Sequence, residues 1–332
     1  MFDTHVNLHA EAFEEDLPEI ISRARDAGVT RMLAICERLD SFERVKAIAD
    51  GHADIWCSVG THPHHAKDFT DTRAEDLVTR AADPKVVAIG ETGMDLHYGY
   101  SPQDIQEASF RTHITASRET GLPLIVHTRE ADDLTATILE DETSKGAFPI
   151  LLHCYTGGPD LCQRGLALGA YVSVSGILSF KSAKEVRAVI KDVPLDRVIL
   201  ETDCPYLTPM PYRGRRNEPS YLPYVADALA DLHGDSQGRL SSRTDGSDHC
   251  GLCHFDFNGG GDRNDFGSRL EALRATKPKR GRKRTTATVK NRLAAIEAEL
   301  PAALRNEASA VKKAAINPAV ASALSAPRCF VP

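Results

Sequence analysis

Residues 86–129 read VVAIGETGMDLHYGYSPQDIQEASFRTHITASRETGLPLIVHTR. Two apolar runs, Val86–Gly93 and Pro123–Arg129, flank an amphipathic stretch, Pro102–Thr120, that stops at Gly121. Runs rich in Val and Ile without polar alternation suit strands covered on both faces. A glycine just beyond a helical pattern suits the left-handed turn that ends a helix. Strand, helix, strand in that order is the repeating unit of a parallel sheet.

The same unit recurs on either side of this stretch. Further strands are expected at Phe2–Asn7, Thr30–Cys36, Ile55–His62, Phe148–Tyr155, Ala170–Gly176 and Val198–Asp203. Amphipathic stretches such as Leu17–Ala27, followed by Gly28, and Lys184–Lys191 lie between them. Eight such strands within residues 1–234 point to an α/β fold, a closed (β/α)8 barrel of the TIM type. An open doubly wound sheet is the alternative, but it ordinarily uses fewer strands.

The chain has 332 residues, 42% of them hydrophobic, enough for one large domain and an extension. No run of about 18 apolar residues offers a membrane span. The N-terminal MFDTHVNLHA lacks the basic and apolar regions of a secretory signal, so a cytoplasmic location is expected. Several of the eight cysteines sit in apolar runs and are expected to be reduced and buried. The net charge of -7 conceals an asymmetry. From Asp235 onward there are 17 Lys and Arg against 10 Asp and Glu, so the tail carries +7 and residues 1–234 carry -14.

The strand–helix pattern stops at Gly234. Aliphatic residues are sparse from 235 to 268, and Lys277–Arg284 is a basic run. Ordering backbone costs about 1–2 kcal/mol per residue, which so little apolar area cannot offset. The expectation is an irregular segment to about 286, then an Ala-rich helix near 287–315. His249-Cys250-Gly-Leu-Cys253-His254 is read as a chance cluster, since no second ligand pair follows at a finger-like distance.

Metal-binding side chains recur at the C-terminal ends of the expected strands. They are His5 and Asn7, His62 and His64, Glu91 and Asp95, His127, His153, and Glu201 and Asp203. Imidazoles and carboxylates together suit a divalent metal. In a barrel all these ends meet on the single face where active sites form. Singly, Glu91 or Asp203 reads equally well as a helix N-cap. Their convergence at the same end of several strands is what packing alone does not explain.

Together the segments Asp3-Thr-His5, Gly60-Thr-His62-Pro-His64, Ile89-Gly-Glu91-Thr-Gly-Met-Asp95, Ile125-Val-His127-Thr-Arg-Glu-Ala131, His153-Cys-Tyr-Thr-Gly157, Glu201-Thr-Asp203-Cys-Pro-Tyr-Leu207 and Arg213-Gly-Arg-Arg-Asn-Glu-Pro219 resemble the TatD-type deoxyribonucleases in order and spacing, over residues 1–234. The resemblance implies an amidohydrolase-like barrel, two divalent ions (Mg or Zn) and hydrolysis of DNA phosphodiesters by metal-activated water. It implies that His5, Glu91 and Asp203 serve one metal, with Glu91 bridging, and that His127 and His153 serve the second. Asp203 and Glu91 become the catalytic residues, with Asp203 deprotonating the attacking water. Arg129, Arg213 and Asn217 become candidates for substrate contact, with His62 and His64 in support. DNA is the expected partner, and the protein is expected to be monomeric.

Two features depart from that family. The usual His-x-His of strand 1 is His5-x-Asn7 here, so the first metal is expected to bind weakly unless His9 substitutes. The family's closing helix, with its Asn-x-x-Arg-Leu-Phe-like ending, is missing after Gly234. That fits either an appended tail or a native end replaced by frameshift or fusion. Two other functions compete with DNA hydrolysis. One is hydrolysis of another ester or amide, often supported in the wider superfamily by a lysine on strand 4, where Lys85 only precedes the strand. The other is non-catalytic nucleic-acid binding.

Overall fold

A computed structural model describes residues 1–234. The expectations for residues 235–332 lie outside the described residues. Among the described residues, eight strands form one sheet in the order β1 to β8, each pair parallel. They are β1 (Phe2–Val6), β2 (Arg31–Ala34), β3 (Ile55–Val59), β4 (Val86–Asp95), β5 (Leu124–Arg129), β6 (Ile150–Leu152), β7 (Tyr171–Val174) and β8 (Val198–Leu200). The helices are α1 (Leu17–Asp26), α2 (Phe42–Asp50), α3 (Ala74–Ala81), α4 (Gln103–Thr120), α5 (Asp132–Lys145), α6 (Pro159–Ala167), α7 (Lys184–Lys191) and α8 (Leu222–His233). The sheet closes where Val6 bridges Cys204 beyond the end of β8. The chain therefore folds as the (β/α)8 barrel expected from its strand–helix alternation. No described helix is long and apolar enough to cross a membrane.

Two layers of apolar side chains hold the barrel. The inner cluster takes one residue or more from every strand, among them Phe2, Leu33, Trp56, Ile125, Leu151, Tyr171 and Ile199. The outer cluster, between strands and helices, takes the alternate positions, such as Met32, Ala34, Leu124 and Val126. Successive side chains of a strand face opposite sides. Inner Ile125, Leu151 and Ile199 therefore place His127, His153 and Glu201 on the inner side, one step nearer the C-terminal rim.

Strands β3, β6 and β8 are shorter than expected, ending at Val59, Leu152 and Leu200. His62, His153 and Asp203 therefore stand on the loops just beyond the strands. Gly121 ends α4 with φ of 73° and donates its N–H to Ser117 O at 2.8 Å, as its position in the sequence predicts. Gly93 has φ of 138°, and a Cβ there would collide with the carbonyl of His127. Only glycine lets β4 run this close to β5 beside the site.

Barrel closure is polar as well as apolar. The Asp203 N–H donates to His5 O at 3.0 Å, and the Asn7 N–H to Cys204 O at 3.0 Å. Buried Asp3 accepts from the Thr202 N–H at 2.9 Å and the Thr202 hydroxyl at 2.6 Å. Burial outweighs these bonds and pushes the Asp3 carboxyl up to about 8. The described cysteines, Cys36, Cys57, Cys154, Cys162 and Cys204, are free thiols.

Candidate metal centre

Glu91 is the hub. It lies within β4, which excludes the helix-cap reading, and it is 3% exposed. Its Oε1 stands 3.0 Å from His153 Nε2, 3.1 Å from His127 Nδ1 and 3.5 Å from His62 Nε2. Its Oε2 stands 3.3 Å from His5 Nε2. Two groups of possible ligands share it: His5, Glu91 and His153, and His62, Glu91 and His127. Within each group the ligand atoms lie within 4.8 Å of one another.

This grouping differs from the one the resemblance implies. His153 falls with His5, against whose ring it stacks at 3.8 Å, rather than with His127. His62, expected as a support, lies within one of the two groups of possible ligands. Asp203 stands at the edge of the first group, its Oδ1 3.7 Å from His5 Nε2.

The donor set fits divalent ions. The Nδ1 of fully buried His5 and the Oδ1 of buried Asn7 have no hydrogen-bond partner, and His5 Nε2 meets only the carboxylates of Glu91 and Asp203. Leaving such atoms buried and unpaired costs about 1–3 kcal/mol each. Two donors each about 2 Å from a tetrahedral ion stand roughly 3.3 Å apart, close to the separations around Glu91. His9 belongs to neither group; its Nε2 lies 3.8 Å from Glu37 Oε2.

Two buried carboxylates hold the imidazoles from behind. His153 Nδ1 lies 3.1 Å from Glu201 Oε1, and the Ser173 hydroxyl donates to Glu201 Oε2 at 2.6 Å. His127 Nε2 lies 3.1 Å and His64 Nε2 2.8 Å from Asp95 Oδ2. A carboxylate on the far ring nitrogen fixes tautomer and orientation and makes the imidazole a better ligand. Sequence reading noted Glu201 and Asp95 without giving them this role. The signal was present, because both are carboxylates in motifs next to ligand residues. It also missed His113 on α4, whose Nε2 accepts the Thr61 N–H at 3.0 Å and so sets the turn before His62.

The site's electrostatics follow from burial and like-charge crowding. For Glu91, burial favours the neutral form, but His153, His62 and His5 outweigh it and hold the carboxyl well below its usual range. Burial opposes a charged His153, yet Glu201 and Glu91 raise it well above an ordinary histidine. Asp203 is pushed up to about 6, first by burial, with His5 and His153 pulling back and Glu201 and Glu91 adding to the rise. Glu37, at the neighbouring rim, is raised to about 7 by burial and then by Glu91 and Asp203. Asp203 and Cys154 also hold positive φ, 56° and 44°, a conformation that non-glycine residues adopt mainly where surroundings enforce it.

The expected substrate contacts divide. Arg129 is exposed and packs its guanidinium 4.7 Å from the Tyr98 ring. Arg213 is also exposed, 4.2 Å from the Phe180 ring. His64 is partly exposed at the rim. Asn217 is fully buried. Its amide donates to Thr202 O at 2.9 Å and Tyr206 O at 2.5 Å, and its Oδ1 accepts the Glu218 N–H at 3.0 Å. In this arrangement Asn217 shapes the loop after β8 and has no amide hydrogen left for a ligand.

Known proteins resemble this chain along its whole described length. The chain is 40% identical to an uncharacterized metal-dependent hydrolase, YabD of Bacillus subtilis, over 232 residues, 70% of this chain and 91% of that one. It is 34% identical to the 3'-5' ssDNA/RNA exonuclease TatD of Klebsiella pneumoniae, over 74% of this chain and 95% of that one. A crystal structure of YjjV, a TatD homologue from Escherichia coli, superposes with a TM-score of 0.66 at 26% identity, covering 74% of this chain and 96% of that one. The sequence profile described as TatD related DNase matches residues 2–245. With one profile spanning its barrel and relatives at least 34% identical that it covers over nine-tenths of their own length, this chain belongs to the TatD-related DNase family.

Proposed function

We propose that the chain is a nuclease that hydrolyses the phosphodiester bonds of single-stranded nucleic acid, DNA in particular, with two divalent ions sharing Glu91. The observation that carries this reading is the single carboxylate common to two imidazole groups at the mouth of the barrel. Bound divalent ions would supply Lewis acidity to the phosphoryl group and to the oxygens entering and leaving it. His5 and His153 would hold one ion and His62 and His127 the other, with Glu201 and Asp95 keeping the rings in place. Asp203 orients the attacking water and takes its proton; a base that titrates near the working pH does this best. Arg129 and Arg213 have no carboxylate partner among the described residues, whereas nearby Arg216 is bound by Asp16 at 2.6 Å. Free guanidinium groups match phosphate oxygens two at a time. Relatives named as 3'-5' ssDNA/RNA exonucleases support the choice of substrate and suggest attack from the 3′ end.

Hydrolysis of an amide or a carboxyl ester has less support. Lys85 precedes β4 and spends its ammonium on the carbonyls of His52 and Ile55, at 2.5 and 2.8 Å, below β3. The deciding experiment incubates the purified chain with end-labelled single- and double-stranded oligonucleotides, with Mg²⁺ or Zn²⁺ and with a chelator. Metal-dependent shortening of the single strand from its 3′ end is expected, and the chelator should abolish it. Cleavage of an amide or carboxyl ester, with DNA and RNA untouched under every ion, would sink the reading.

Asn7 tunes the first site. Its amide oxygen suits Mg²⁺ better than Zn²⁺, and imidazole reverses that order. Asn7→His is expected to tighten Zn²⁺ binding at one of the two sites by roughly tenfold or more, and Mg²⁺ binding less. Titration calorimetry that finds affinity and stoichiometry unchanged would remove Asn7 from the ligand set.

A further inference from the structure

The loop between β4 and α4 carries two large rings that the fold leaves open. Tyr98 is 47% exposed and Tyr100 54%. The rings are stacked, with centroids 5.2 Å apart and planes 3° from parallel. Each stands edge-on to His64, at 5.3 and 4.8 Å. His64 in turn lies 4.3 Å from the ring of His62, one of the candidate ligands. The pair therefore sits one imidazole away from the metal centre, and Arg129 covers part of Tyr98.

The exposure is built into the backbone. Asp95 Oδ1 accepts the N–H groups of His97 and Tyr98 at 3.0 and 3.2 Å. The Leu96 N–H donates to Arg129 O at 3.0 Å. The Ser101 hydroxyl donates to His64 O at 2.9 Å. Buried Gln106 ties the loop from below, donating to Asp95 O at 2.9 Å and Ser101 O at 2.8 Å. A loop pinned at both ends thus keeps a stacked pair of rings about half exposed, short of the full burial that rings of this size ordinarily reach.

We infer that Tyr98 and Tyr100 form a stacking platform for an unpaired base of the nucleic acid whose phosphate lies at the metal centre, with Arg129 beside it for the adjoining phosphate. The inference rests on the nuclease reading above. Every base has a π-face, so aromatic platforms bind single strands with little regard to sequence. In a duplex those faces are already stacked inside the helix. The platform therefore favours frayed or single-stranded substrate over an intact duplex.

The test is a cycle between protein and substrate. Single-stranded oligonucleotides with normal or abasic nucleotides next to the cleaved bond are digested by wild type, by the Tyr98→Leu/Tyr100→Leu double variant and by Tyr98→Phe/Tyr100→Phe. In wild type, abasic substitution should lower kcat/KM about tenfold, mainly through KM. In the leucine variant the normal substrate should fall to that lower level, and removing the base should cost little more. The phenylalanine variant keeps the rings and should behave like wild type. On wild type itself, 2-aminopurine placed at the abasic position should lose fluorescence on binding. If both substrates lose equally on Tyr→Leu substitution, or 2-aminopurine is not quenched, the platform is wrong although the nuclease reading stands. If wild type cleaves neither oligonucleotide, the nuclease reading falls and the platform with it.

Discussion

Asp203→Asn should lower kcat/KM for a single-stranded oligonucleotide by about 10³-fold, with the fold intact. General-base catalysis typically contributes 10²–10⁴-fold, and an amide cannot take a proton from water. The substitution is conservative in every other respect. Side-chain volume hardly changes, and the Asp203 N–H to His5 O bond that helps close the barrel is a backbone bond. Asparagine also tolerates the positive φ of 56° at this position. Burial raises the Asp203 carboxyl to about 6, and a base works only in its deprotonated form. Wild-type activity should therefore fall as pH drops below about 6, or below a lower value once cations face the carboxylate. The residual activity of Asp203→Asn should keep only the part of the acid limb that comes from protonation of the imidazole ligands. Circular dichroism should match wild type. A variant within tenfold of wild type, with the same acid limb, would remove Asp203 from the role of base.

Glu91→Gln should abolish tight metal loading and lower hydrolysis by about 10³-fold or more, since the ions' contribution is several kcal/mol and each 1.36 kcal/mol is tenfold. No other described residue belongs to both ligand groups. The variant keeps the volume of a buried side chain while replacing an anionic oxygen with a neutral amide. His153, His127 and His62 then converge on a group that cannot neutralise a cation. On the two-ion reading, elemental analysis after dialysis should find two ions in wild type and at most one in the variant. Full metal content in Glu91→Gln would show that the two groups do not depend on a shared carboxylate. Removal of a positioning carboxylate instead, Glu201 or Asp95, belongs to a milder class of about 10–100-fold.

The ordering of the two effects has a structural reason. Asp203 lies at the edge of one group, so its loss leaves the remaining ligands in place. Glu91 belongs to both candidate groups, so its removal disturbs both at once.

The sequence by itself determined the barrel and named most of the side chains that meet at its mouth. Val- and Ile-rich runs separated by amphipathic stretches admit few other folds, because strands covered on both faces must be apolar throughout. Each expected strand was found, and the glycines at 28 and 121 stand just past their helices with positive φ. His127 and His153 were legible for the same reason, since strict alternation from Ile125 and Leu151 carries them inward. Which of these side chains stand next to one another was not legible. Pairing registers shift between Asp3 and Val6 in β1 and between Ile89 and Thr92 in β4. Straight alternation from inner Phe2 would turn Thr4 and Val6 inward, yet Val6 packs in the outer layer and His5 faces Glu91. That the turn after β3 brings His62 Nε2 to 3.5 Å from Glu91 Oε1 appears only in three dimensions. The second carboxylates, Glu201 and Asp95, and the buried role of Asn217 likewise depend on which atoms meet across the barrel. Local sequence sets the period of a strand and the end of a helix; the meeting of side chains from six different strand ends is fixed only when the sheet closes.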